Sequence, residues 1–438
     1  MPLRHLTPRD QHLFWQYGRG ADVPVHEPLV HRAIERHAIV TPHAVAAEHH
    51  GATLTYGELD RYAGALAARL VREGVRPGDH VGLFARRSIP MLVGLFAVLK
   101  AGAAYVPQDI GRTPPAQLAD VVRTARTRVI LTQKEHVPRV PLPLPGGHRL
   151  IALDDPAPYD PGPLPLLPPH PDDGCCVLFV PGTAGRRHGV KLTHRNITNL
   201  LLTEPGGLGI RPGDRVAQLL GIASGPAAWE ILGCLTRGAT LAVRGTDTGT
   251  DTGTDATART ATVLIATPAV LSGIDPADCP HLRAVAVTGE PCPRPLADRW
   301  SRRTALFHCR GPAEATLVTT MGRRTPATGR PLPNGTVYVL GADRRALPIG
   351  ETGEVWAGGD PVPAGYLGEE TLNAQRYAPD PFLGAGRAMF RTRGLGRWTP
   401  DGDLEHLGRP ADRPVPPGER PLLRLAGERA AATVTVTR

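Results

Sequence analysis

The sequence predicts an α/β protein with two lobes built on parallel sheets, followed by a small antiparallel β subdomain. Three observations carry this. Short apolar runs alternate with amphipathic stretches from residue 28 to residue 309, the pattern of strands joined by crossover helices. Glycine-bearing turns follow several of the apolar runs, as strand ends require. From residue 331 the pattern changes to short strands separated by turn residues.

Residues 1–24 read as an N-terminal leader. They contain no apolar core of signal-peptide length, so the cytoplasm is the default expectation. The two lobes are assigned to residues 25–330. Within them, residues 28–41 and 56–73 have apolar residues at helical steps, and Gly74 stops the second. "HVGLFA" reads as a buried strand, "MLVGLFAVLKAG" as a buried helix ended by Gly102, and "RVILT" as a strand. Residues 154–173 are dense in proline and read as an extended connection. Strands resume at "CCVLFV", "RVAQLL", "TVLIAT", "LRAVAV" and "ALFHC". The polar repeat at 246–257 reads as a disordered surface loop. "GTVYVL", "TGEVWAGG" and "GDLEHLGR" form the β subdomain, residues 331–410. Residues 411–438 are proline-rich, poor in large apolar side chains, and read as a remnant tail.

The net charge is +9, but 47 of the 50 basic residues are scattered arginines. Nucleic-acid binding needs basic residues gathered on one face or tail, so it is not expected. No apolar run reaches the roughly 18 residues of a membrane span. The six cysteines lack CxxC or zinc-ligand spacing and read as buried thiols.

Ligands of open parallel sheets sit at the carboxyl ends of the strands. Three glycine-bearing turns stand there: "PGTAGRRHG", "TGEPC" and "RGPAEAT". Glycines let backbone N–H groups approach a phosphate, although each turn alone is more often structural. The first is not a Walker A loop, because GK[ST] is absent.

Taken together, the motifs resemble the adenylate-forming family, specifically amino-acid adenylation domains of nonribosomal peptide synthetases. "LTYGELDRYAGALAARL", "LKAGAAYVPQD", "PGTAGRRHGVKLTH", "WEILGCLTRGATL", "RGPAEAT", "TGEVWAGG", "GYLGEETLNAQRYAPDPF" and "FRTRGLGRWTPDGDLEHLGR" follow the family's order between residues 25 and 409. The resemblance implies the family's N-terminal core, ATP and Mg²⁺ as cofactors, and formation of an acyl-AMP that passes to a phosphopantetheine thiol. It places Gly182, Thr183, Gly185, Arg186, His188 and Gly189 in the phosphate loop. Gly289, Glu290, Arg310 and Gly311 fall in the nucleotide turns. Glu314 is the metal contact, Arg409 a ribose- and phosphate-side contact, and Thr183, Glu314 and Arg409 the catalytic set. Gly225, Pro226, Trp229, Val287, Phe307 and Cys309 fall on the acyl pocket.

Several of these positions depart from the family pattern. Val180 and Pro181 stand at the loop's hydroxyl pair, and His188 at its lysine. Arg186 and Arg187 are either donors to a triphosphate or surface arginines of a relaxed loop. Arg310 stands where a tyrosine packs on adenine. Thr392, Arg393 and Gly394 stand at a threonine-glycine-aspartate whose aspartate holds the ribose. Gly225 stands at the aspartate that pairs with a substrate ammonium, so an ordinary α-amino acid is not the expected substrate. Ala411 stands at the hinge aspartate, no lysine follows Lys191, and a C-terminal lid carrying the adenylating lysine is not expected.

Three functions follow from the resemblance. One is an acyl-AMP ligase with weakened parts, completed by a lid in trans. The second, favoured, is a degenerate core that binds a carrier protein, an MbtH-like helper or a complete adenylation enzyme. The third is a substrate-binding module without ATP.

Overall fold

The structure, a computed structural model, describes residues 3–140, 148–155, 169–182, 186–245, 256–323, 328–384 and 386–409. Most of the proline-rich connection and polar repeat, Thr183, Gly185, Ala411 and the tail from 411 lie outside the described residues.

The chain starts with α1 (Pro8–Gly18), capped by the Thr7 hydroxyl, which accepts from the Asp10 N–H. Its Phe14 ring stacks on Tyr338 with centroids 5.6 Å apart, so the stretch read as a leader packs on the β subdomain. Then come α2 (Val30–Val40), the hairpin β1 (Val45–His49) and β2 (Ala52–Thr55), and α3 (Tyr56–Arg72). A Thr55–Glu58 capping box starts α3. The first lobe continues with β3 (His80–Ala85), α4 (Ile89–Lys100), β4 (Ala104–Asp109), α5 (Pro115–Ala125), β5 (Val129–Thr132), β6 (Arg149–Ala152), β7 (Gly174–Pro181) and β8 (Arg187–Thr193). Their six-stranded sheet has the order β6-β5-β3-β4-β7-β8. It is parallel except for β8, which folds back on β7.

The second lobe holds α6 (His194–Leu202), β9 (Arg215–Gln218), α7 (Gly225–Thr236), β10 (Thr240–Val243), α8 (Ala256–Arg259), β11 (Val263–Ala266), α9 (Pro268–Ser272), β12 (Ala284–Val287), α10 (Arg294–Ser301) and β13 (Ala305–Arg310). The β-rich stretch follows as β14 (Thr320–Gly322), β15 (Thr328–Pro331), β16 (Gly335–Leu340), β17 (Gly353–Gly359), α11 (Glu370–Arg376), β18 (Tyr377–Pro379), β19 (Ala388–Trp398) and β20 (Leu404–Gly408).

The antiparallel strands do not form a separate sheet. β13 pairs with β14, β14 with β15 and β15 with β20, giving one 14-stranded sheet ordered β16-β17-β19-β20-β15-β14-β13-β12-β11-β9-β10-β1-β2, with β18 on β19. The main core joins both lobes: Phe96 and Leu99 of α4, Leu178 of β7, and Trp229 and Leu232 of α7 share one buried cluster. A second cluster lies under Trp300, Val287 and Leu306. Five cysteines are buried thiols and Cys292 is partly exposed. Among the described residues no helix is long and apolar enough to cross a membrane.

Candidate functional site

The β7–β8 hairpin sets Pro181 opposite Arg187 and Val180 opposite His188. Gly182 N–H donates to the Arg186 carbonyl at 2.7 Å, and a Cβ on Gly182 would lie 2.3 Å from His188 Nε2. The glycine is therefore needed for the histidine ring to lie across the turn. Two of the loop's side chains are already engaged. Arg186 Nη2 lies 2.7 Å and His188 Nδ1 3.3 Å from the same Glu369 Oε1. Tyr366 meets the His188 ring edge-on, and Leu367 N–H donates to the Gly189 carbonyl. Arg187 is exposed. Glu369 and Tyr366 lie in "GYLGEE", whose chemistry the sequence alone did not single out.

Glu314 lies in a short 3₁₀ turn after β13 and is 9% exposed. Tyr366 Oη donates to its Oε1 at 2.7 Å. Burial and then the Glu314 carboxylate push the Tyr366 phenol up, so it remains a donor. Glu314 Oε2 has no hydrogen bond among the described residues. One such carboxylate suits Mg²⁺, which takes one or two carboxylates plus substrate phosphates. Among the described residues no three His, Cys, Asp or Glu side chains gather as a metal cage. The Glu314 turn closes where Thr319 N–H donates to the Arg310 carbonyl. A Cβ on Gly311 would sit 2.5 Å from Thr319 N, and that close approach demands glycine.

Arg310 ends β13, and its guanidinium pKa is lowered by burial. His308 and His406 beside it are lowered to about 4 and about 3, by burial and then by Arg310. His308 Nδ1 has no partner among the described residues. The strand end thus presents nitrogen-rich side chains where the resemblance calls for an aromatic ring. Gly289 turns the chain after β12 at φ 92. Glu290 Oε1 accepts from Ala269 N–H at 3.2 Å, which ties it to the start of α9.

At the ribose position β19 bulges. Trp356 pairs with Arg391 and Glu354 with Leu395, so residues 392–394 oppose Val355 alone. Thr392 Oγ1 donates to the Val355 carbonyl at 2.6 Å and accepts from Gly394 N–H at 3.0 Å. A Cβ on Gly394 would meet nothing nearer than Thr392 Oγ1 at 3.4 Å. The ribose aspartate is absent, but its space is open. Without that carboxylate the bulge offers no charged acceptor to a ribose. Arg409 is exposed just beyond β20.

The acyl position is different. Gly225 begins α7 behind the Ser224 cap. A Cβ there would lie 2.2 Å from Leu317 Cδ2. Leu317 has φ 68 and follows Thr316 at φ 50; this left-handed pair turns the leucine inward, where it is 4% exposed. Trp229 is buried and its Nε1 donates to the Gly206 carbonyl. Trp229, Cys309 and Leu317 share the main core, with Phe307 packed against it. Val287 belongs instead to the second core, and Pro226 is half-buried. The structure therefore brings together only part of the set inferred for the pocket. Sequence reasoning also missed Glu230, a fully buried carboxyl that accepts from Leu219 and Leu220 N–H. Burial raises its pKa to about 8, against the pull of those two N–H groups. A cleft of about 680 Å³ lined by Tyr62, Leu66, Ile89, Val93 and Leu153 contains none of the residues above.

Residues 34–367 match the family described as AMP-binding enzyme. Adenylate-forming reductase 03009 of Coprinopsis cinerea is 40% identical over 416 residues, 93% of this chain and 40% of that protein. Novobiocin biosynthesis protein H of Streptomyces niveus is 32% identical over 411 residues, 89% of this chain and 68% of that protein. The nonribosomal peptide synthetase FmoA3 in its AMPPNP-bound form superposes with a TM-score of 0.83 at 26% identity, covering 92% of this chain and 45% of that one. The chain thus spans less than half the length of the reductase and the synthetase it matches.

Proposed function

The chain belongs to the AMP-binding enzyme family, and from that premise we propose that it is a degenerate adenylation core of nonribosomal-peptide type, acting through a protein partner. In this reading it does not adenylate an ordinary α-amino acid by itself. The observation that carries the reading is the Gly225–Leu317 contact. The place for a carboxylate that would pair with a substrate ammonium is taken by a leucine methyl, and a buried unpaired ammonium is strongly disfavoured. Two further features support it. The phosphate-loop side chains of Arg186 and His188 are held by Glu369. The ribose position Gly394 has no side-chain acceptor. The proposed partner is a carrier protein, an MbtH-like helper or a complete adenylation enzyme.

Hydroxamate trapping with ATP, Mg²⁺ and a panel of acids tests the reading. The isolated chain should give no product from α-amino acids, and calorimetry should give ATP affinity weaker than micromolar. Efficient hydroxamate formation from any α-amino acid overturns it.

A second reading is favoured by Glu314, whose Oε2 accepts no hydrogen bond among the described residues. In it the chain activates a keto, hydroxy or aryl acid with a lid supplied in trans. The likeness to proteins named adenylate-forming reductases is compatible with that reading. Product from such an acid, but not from α-amino acids, selects it.

A further inference from the structure

The β19 bulge places a cation where a glycine would be free of strain. Arg393 adopts φ 61, a left-handed conformation that costs a branched or long side chain energy and that glycine adopts freely. Bulges re-aim side chains beside functional sites. The Arg393 guanidinium makes no hydrogen bond or ion pair among the described residues.

Its surroundings are unbalanced in charge. Arg376 and Arg391 each lie close enough to Arg393 to repel it electrostatically. Glu354 is the near carboxylate, and both its oxygens accept from Arg391 Nε, at 2.9 and 3.0 Å. Arg376 sits over the Phe390 ring at 4.7 Å, and its Nε donates to the Arg391 carbonyl. Both Arg376 and Arg393 also act on the Tyr366 phenol, the group bonded to Glu314. The Phe390 ring under Arg376 leads to Tyr366 through Tyr377, with centroids 5.0 and 5.9 Å apart, so two cationic heads without a hydrogen-bonded carboxylate among the described residues face the phenol that bonds Glu314. In the phosphate loop, by contrast, Arg186 is paired with Glu369.

We propose that Arg376 and Arg393 form a binding site for the phosphate groups of a ligand, placed at the β19 bulge beside Tyr366 and Glu314. The inference rests on the adenylation-core reading above and names the ligand chemistry of that same site. Two guanidinium groups suit a doubly charged oxyanion. The phosphate comes either from a nucleotide or from a phosphopantetheine arm. Because Gly394 gives a ribose no anchor, the site recognises the phosphate rather than the nucleoside, and ATP binds no more tightly than pyrophosphate.

The test is calorimetry on the full chain at low ionic strength with pyrophosphate, ATP and pantetheine 4′-phosphate. Arg393→Gly and Arg376→Gln should each weaken binding about tenfold or more, the usual weight of a lost charge-assisted contact. Arg397→Gln removes one positive charge from the same strand, where Arg397 pairs with Glu405, and should leave binding unchanged. Arg393→Gly should also raise the thermal midpoint, since glycine suits φ 61, so weaker binding in that variant cannot be ascribed to misfolding. Tighter binding of pyrophosphate and ATP, or of pantetheine 4′-phosphate, identifies the phosphate's source, and either result supports the site. Absence of binding, or equal losses in Arg393→Gly and Arg397→Gln, overturns it. Such a failure leaves the Gly225–Leu317 reading standing, because that reading is tested by turnover of acids.

Discussion

Gly225→Ala sets two opposing effects against each other. Alanine in place of glycine ordinarily stabilises a helix by roughly 0.5–1 kcal/mol, somewhat less at the first position. Here the new Cβ would stand 2.2 Å from Leu317 Cδ2, against about 3.5–4.0 Å for a relaxed carbon contact. The leucine end must move, yet it is 4% exposed and its backbone is fixed at φ 68. Overpacking of this kind costs about 1–3 kcal/mol, so the net effect is a loss of roughly 1–2 kcal/mol. In a Leu317→Ala background the overlap is gone, and Gly225→Ala should become neutral or stabilising by up to about 0.5 kcal/mol. The two substitutions should therefore couple by about 1–2.5 kcal/mol. Urea unfolding of the four proteins measures this, with the buried Trp229 one turn along α7 as a fluorescent reporter. If Gly225→Ala alone is as stable as its parent, Leu317 does not fill the position and the pocket argument fails.

Gly394→Asp should behave oppositely, because its Cβ meets only ordinary contacts. Its thermal midpoint should stay within about 2 °C of the parent, and ATP affinity should rise as a ribose acceptor returns; a large drop in the midpoint would show that the bulge is closed. Acid should destabilise the fold through the buried pair His31 and His194, whose rings meet edge to face at 5.3 Å. Burial lowers them to about 4 and about 3, with Arg32 and Lys100 adding to it at His31, and with His31 adding to it and Asp173 opposing at His194. Between pH 6.5 and about 4 the folded chain binds fewer protons at these rings than the unfolded chain, so each contributes a loss of about 1.4 kcal/mol per pH unit. Unfolding free energies measured across that window should show a slope about one proton shallower in His31→Leu, and an unchanged slope would refute the assignment.

The alternation of strand and helix was legible because each buried parallel strand, such as "HVGLFA" or "CCVLFV", is almost wholly apolar. The β1–β2 hairpin was not, since "VAAEHHGATLT" mixes small, basic and hydroxyl side chains on a sheet edge. The helix at 8–18 was hidden in an apparent leader, although Phe14, Trp15 and Tyr17 were the signal that it needed a surface to cover. At the site, sequence showed glycine at both 225 and 394 and could not tell them apart. The difference lies in Leu317, whose left-handed backbone brings it across the fold, and no local pattern announces such a contact. Glu369 was invisible for the same reason: it meets Arg186 and His188 from far along the chain.

The Glu369 carboxylate has one further effect. It is tethered on the same polypeptide as the Arg186 guanidinium it meets, so it competes with any incoming anion at an effective concentration on the order of millimolar or higher. An oxyanion arriving at the β7–β8 turn must displace this internal competitor before it gains a contact. The exposed Arg186 pair contributes little stability of its own, but it raises the apparent dissociation constant of every external rival. Selectivity at this turn would then depend on multivalence: a ligand with several charges can outbid a single tethered carboxylate, whereas a lone acetate-like group cannot.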